Sequence, residues 1–172
     1  MMIQRVQTLW LLLAVLLSVA AFFFPIAIFQ FPYREHSLDA IYKLLPLNTA
    51  PYQYAPAWFS IFFNCITGVI TVITIFLYKN RRLQMKVLAF AFLSSLIELA
   101  GLYFYQIDAG LTDAISNIYN ATPEIIKSTV NVAKTTWGLA SFFPIAQIVF
   151  FVFALKGIKK DESLVRSADR IR

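Results

Sequence analysis

The sequence has one cysteine, one histidine and five glycines among 172 residues, and charged side chains make up only 14% of it. A lone Cys65 closes no intrachain disulfide, so nothing here requires an oxidising compartment, and its place in an apolar run marks it as a small packing residue. His36, the only histidine, stands beside Glu35 and Asp39 without a second imidazole or a thiol to join it, the pattern of a solvated loop residue. No metal site and no cofactor are expected. HExxH, GxSxG, a glycine-rich phosphate loop and paired cysteines are absent as well. Intramembrane proteolysis would require paired aspartates, a serine with a histidine, or a metal cluster within apolar segments, and no apolar segment supplies one. The expectation is a protein that is not an enzyme.

What the chain has in abundance is apolar side chains: 59% of residues are hydrophobic, 17 are Phe, and the mean hydropathy is +0.68. That composition belongs to the membrane class, organised as a single domain over residues 1–172. Four runs, residues 9–29, 57–78, 87–105 and 136–155, approach or exceed the roughly 20 residues that cross about 30 Å of hydrocarbon as helix. They lack the alternation of barrel strands, and a helix satisfies its own backbone in lipid. The expected fold is therefore all-α: a four-helix transmembrane bundle, up-down-up-down.

Orientation follows from the placement of Lys and Arg. The link between spans two and three, "KNRRLQMK", carries Lys79, Arg81, Arg82 and Lys86 with no acid. The tail, residues 156–172, sets Lys156, Lys159, Lys160, Arg166, Arg170 and Arg172 against Asp161, Glu162 and Asp169. In contrast, the loop 30–56 balances Arg34 and Lys43 with Glu35 and Asp39, and the loop 106–135 sets Asp108, Asp113 and Glu124 against Lys127 and Lys134. Both termini are expected in the cytoplasm. The net charge of +6 is then an orientation signal rather than a nucleic-acid footprint. Arg5, the apolar stretch Leu9–Leu17 and "SVAA" have the shape of a secretory signal, but apolar character continues through "FFFPIAIF" to Phe29, so a retained span is expected.

Outside the spans, Pro32, Pro46, Pro51 and Pro56 forbid a long helix in the first outer loop, although "SLDAIYKLL" has the spacing of a short one capped by Ser37. Tyr33, Tyr42, Tyr52 and Tyr54, with Trp58 and Trp137, fit an interfacial belt or a compact recognition surface. In the second outer loop Leu111, Ile115 and Ile118 recur at helical spacing. There "NATPE" breaks and restarts the chain with Thr122 as cap, Pro123 at the first helical position and Glu124 in the first turn, from where a helix is expected to run into span four. Asn120 begins a weak glycosylation match. In the tail, Leu164, Val165, Ala168 and Ile171 share one helical face, which suits either a basic amphipathic helix on an anionic leaflet or a disordered positive tail.

The spans also hold a few polar residues. Glu98 falls close to the bilayer midplane of span three, and Ser18, Asn64, Thr67 and Gln147 reach similar depth in the other spans. Asn64, Thr67, Thr71 and Thr74 make one stripe beside Gly68, facing Ser94, Glu98 and Gly101 on span three. A mid-membrane acid costs on the order of 3 kcal/mol, and no Lys, Arg or His lies inside a span to pair with it. Desolvation favours the neutral acid, bonded to Gln147, Asn64 or Thr67. Such a group serves either as interhelical glue or as a titrating site for a proton-coupled step or small ligand. Pro144 is expected to kink span four beside Gln147.

The opening "MIQRVQTLWLLLA", Met2–Ala14, together with "YKNRRLQMKV", Tyr78–Val87, resembles an uncharacterised family of small four-span bacterial membrane proteins known only as a domain of unknown function. The resemblance implies a retained first span and a bacterial inner membrane, and assigns no activity. It also implies that translation begins at Met2. The leading expectation is a scaffold, accessory subunit or assembly factor that contacts the bilayer and a membrane-protein partner or a second copy. Lys79, Arg81, Arg82, Lys86, Lys159 and Lys160 would form its docking or lipid-headgroup face. The alternative is a small transporter-like or proton-coupled protein centred on Glu98.

Overall fold

The computed structural model describes residues 2–33, 36–44, 57–119 and 134–170. Helices α1 (Met2–Ala20), α2 (Trp58–Phe76), α3 (Arg81–Gly101), α4 (Ile107–Tyr119) and α5 (Phe143–Arg170) account for most of it. Strands β1 (Pro25–Tyr33), β2 (His36–Lys43) and β3 (Lys134–Trp137) form one antiparallel sheet in the order β2-β1-β3. The chain is thus mostly helical, and the sheet corrects the all-α expectation. Three helical segments, Trp58–Lys79, Arg81–Thr112 and Leu139–Val165, are long and apolar enough to cross a membrane, while Val6–Ala20 is a shorter apolar helix.

The sheet explains where the expected spans change. Span one was to reach Phe29, but α1 ends at Ala20 and β1 starts at Pro25, whose ring supplies no N–H to a helix. β1 is flanked on both sides, by β2 through Phe29–Ala40 and by β3 through Phe29–Thr135, and a short apolar strand cannot be told from the end of a span by its letters. "SLDAIYKLL" lies largely in β2, so Ser37 caps no helix. Span four was to begin at Thr136; instead Lys134–Trp137 is a strand, and a 3₁₀ turn at Leu139–Phe142 leads into α5. Pro144 consequently sits in the first turn of α5, where a missing N–H costs nothing, and it puts no kink in mid-span. Asn120, Thr122, Pro123 and Glu124 lie outside the described residues, as do Arg34, Glu35, Pro46, Pro51, Tyr52, Tyr54, Pro56, Ile171 and Arg172.

The chain divides into two compact units. The first, Met1–Val19, Phe63–Ile97 and Pro144–Arg172, is helical. Its buried positions recur every three or four residues: Gln7, Leu11, Ala14 and Ser18 on α1; Gln84, Leu88, Ala91 and Ser95 on α3; Gln147, Phe151, Ala154 and Ile158 on α5. This is the narrow seam of helices packed nearly parallel or antiparallel. Leu11, Ala14, Leu88, Ala91, Phe151, Ala154 and Ile158 make one apolar cluster, bordered by Trp10 stacked on Phe150 at 5.6 Å. Outside the seam, Leu9, Leu16, Val69, Ile73, Phe90, Leu93, Val149 and Phe153 are exposed.

The second unit, Ala20–Phe62 and Glu98–Phe143, holds the sheet. Ile26, Ala27, Phe29, Tyr42 and Leu44 are buried there, and α4 rests on β1 with Leu111 and Ile115 buried. Gly138 is needed for close approach: its N–H donates to the Ile26 carbonyl at 2.8 Å, and a Cβ would collide with the Pro25 carbonyl oxygen. Between α3 and α4 the helix widens to a π turn at Leu102–Gln106. Gln106 accepts a hydrogen bond from Ser60 Oγ, and Tyr103 stacks on Trp137 at 4.7 Å.

Candidate functional site

Every buried residue of α2 is polar: Ser60, Asn64, Thr67, Thr71 and Thr74, spaced four, three, four and three. A helix of water-soluble protein shows the opposite pattern. In the helical unit these side chains solve the problem of polar groups in an apolar setting in two ways. Thr71 and Thr74 donate back to the carbonyls of Thr67 (2.6 Å) and Ile70 (2.7 Å) on their own helix. Thr67 instead crosses to α3, where its Oγ1 donates to Ser94 Oγ at 2.9 Å, and Gln84 Nε2 of α3 donates to the Thr74 carbonyl at 3.1 Å.

A second group of contacts ties α1, α3 and α5. Gln147 Nε2 donates to Ser18 Oγ at 2.9 Å, and Ser18 Oγ donates to the Ala14 carbonyl at 3.3 Å. Ser95 Oγ lies 3.2 Å from the Pro144 carbonyl and 3.5 Å from Gln147 Oε1, so its single proton goes to one or the other. Pro144 therefore matters through its carbonyl, and Gln147 is the residue through which three helices meet.

Of the residues expected in a polar layer, Ser18, Asn64, Thr67, Glu98 and Gln147 are all buried. The structure joins Gln147 to Ser18 and to Ser95, and Thr67 to Ser94. Asn64 is 1% exposed, and neither atom of its carboxamide has a partner among the described residues. Glu98, in the second unit, is 3% exposed, and its Oε2 has none either. Ser95 was not singled out by sequence, because it stands off the Ser94, Glu98, Gly101 face of α3. Ser60 was missed although it extends the α2 stripe one turn before Asn64, and Gln106 because it lies past the end of the apolar run. Among the described residues no group of His, Cys, Asp and Glu is placed to hold a metal.

The basic residues gather at the other end of the helical unit. Arg81 Nη2 lies 3.0 Å from Asp161 Oδ2 while its Nη1 donates to the Asp161 carbonyl at 2.9 Å, and Arg82 Nε lies 3.7 Å from Glu162 Oε1. Lys79, Lys86, Lys159 and Lys160 are exposed with no ion pair among the described residues.

Comparison with known families decides membership: the profile of DUF4293, a domain of unknown function, matches residues 3–171. The chain belongs to the DUF4293 family. No curated protein and no solved structure matches it. Membership therefore covers nearly the whole chain, including both the helical seam and the sheet, and brings no activity with it.

Proposed function

We propose that this DUF4293 protein is a multi-pass protein of a bacterial inner membrane, with both termini cytoplasmic, acting as a non-enzymatic scaffold or accessory subunit for a membrane partner or a second copy of itself. The observation that supports this best is how the buried polar side chains of the helical unit are used. Gln147, Thr67, Ser94 and Gln84 direct their donors across helices, at Ser18, at Ser94 and at the carbonyls of Phe63 and Thr74. Groups engaged in this way fix register; a pathway for a polar substrate needs groups free to exchange partners. Cross-linking of the tagged chain in native membranes, followed by mild solubilisation, should recover a stoichiometric partner or a defined oligomer. Recovery of the monomer alone would refute the scaffold reading. Asn80→Cys, in the basic link, should react with a membrane-impermeant thiol reagent only when the cytoplasmic face is open.

A second reading, a proton-coupled protein using Glu98, is favoured by one observation, the buried Oε2 without a partner. Glu98→Gln keeps the shape and removes the exchangeable charge. In proteoliposomes this reading requires proton flux that the substitution abolishes with folding intact; equal flux in both proteins, or none in either, rejects it.

A further inference from the structure

The basic end of the helical unit has a composition that a protein-binding face alone does not call for. The two acids whose side chains are described there are occupied: Asp161 by Arg81, through both carboxylate and carbonyl, and Glu162 by Arg82. What is left facing outward is cationic, namely Lys79 at the α2–α3 turn, Lys86 on α3, and Lys156, Lys159 and Lys160 on α5, all exposed. Apolar side chains stand among them, with Leu83, Leu164 and Val165 exposed as well. Met85, Lys159, Glu162 and Ser163 line a cleft between α3 and α5, which places Lys159 of α5 beside Met85, the neighbour of Lys86 in α3.

Depth is set by the same contacts. α5 has 28 residues, about 42 Å at 1.5 Å per residue, against about 30 Å of hydrocarbon. Its last turns extend past an apolar core, and the Arg81–Asp161 clamp holds them beside the first turn of α3 instead of letting them lead away. Ammonium groups beside exposed aliphatic side chains match a layer in which phosphate lies next to acyl chains.

We propose that this end of the protein binds the phosphate-bearing headgroups of anionic phospholipids, the Arg81–Asp161 clamp holding the lysine surface at headgroup depth. The inference rests on the membrane reading above and adds its lipid partner. The test uses the full chain in nanodiscs of phosphatidylcholine with a minor share of phosphatidylglycerol, comparing spin-labelled forms of the two lipids at the protein surface. Phosphatidylglycerol should be preferred by about threefold, and the preference should fall toward one as salt shortens the Debye length. Replacing Lys79, Lys86, Lys156, Lys159 and Lys160 by Gln should abolish it, while replacing the same residues by Arg should keep it. Inorganic phosphate should displace the lipid no better than chloride at equal ionic strength. Equal association of both lipids with the unaltered protein overturns the proposal, whether or not the Gln variant folds, and would leave the lysines to an acidic protein partner. Displacement specific to phosphate would overturn it in favour of a free-anion site. Failure of the chain to insert would overturn the membrane reading along with it.

Discussion

The helical unit and the sheet unit each bury an apolar core, and they differ in the polar stripe that α2 adds in the helical unit. In the sheet unit Ile26, Ala27, Phe29, Leu111 and Ile115 fill the interior while strand backbones pair through β1. In the helical unit the backbone is satisfied within each helix, and side chains are left to distinguish one helix from another. There α2 turns only polar residues inward and leaves Val69, Val72, Ile73 and Phe76 exposed. Apolar burial stabilises against water; in apolar surroundings close packing of the kind made by Leu11, Leu88 and Phe151 is joined by hydrogen bonds between small hydroxyls and a carboxamide.

Substitutions can break or sharpen this contrast, and unfolding in mild detergent followed by circular dichroism measures all of them. Phe29→Ala empties a fully buried position of the sheet unit and should cost the most, about 3–5 kcal/mol. Gly138→Ala, which pushes a methyl group into the Pro25 carbonyl, should cost about 1–3 kcal/mol. Gln147→Leu removes the contacts to Ser18 and Ser95 while conserving bulk and should cost about 1 kcal/mol. Ser94→Ala, which deletes the acceptor of Thr67, should cost about 0.6 kcal/mol. If Gln147→Leu destabilised as much as Phe29→Ala, the helical unit would be held by its polar contacts in the way the sheet unit is held by its core, and the contrast would be lost.

The helical part was legible because lipid-length apolar runs are hard to mistake, and because the stripe Asn64, Thr67, Thr71, Thr74 shows its period in the letters. The sheet was not. "PIAIFQF" continues the apolar run of α1 in its letters, and the alternation of the strand shows only in burial, with Ala27 and Phe29 buried and Ile28 and Gln30 half-buried. "SLDAIYK" fits a helix by spacing alone, and its pairing with β1 from Pro25 to Tyr33 decides otherwise. Within the polar seam, the stripe told which residues turn inward but not which partners they choose: Ser95 rather than Glu98 reaches Gln147, through a contact 52 residues apart in sequence.

Cys65 stands immediately after Asn64 on α2, and where Asn64 is enclosed, Cys65 is exposed. As the chain's sole thiol, it gives the natural protein a ready-made attachment point on its outward flank. A fluorophore coupled there, with no engineering, would be quenched by nitroxides placed along the fatty-acid tails and would read how deep that flank lies.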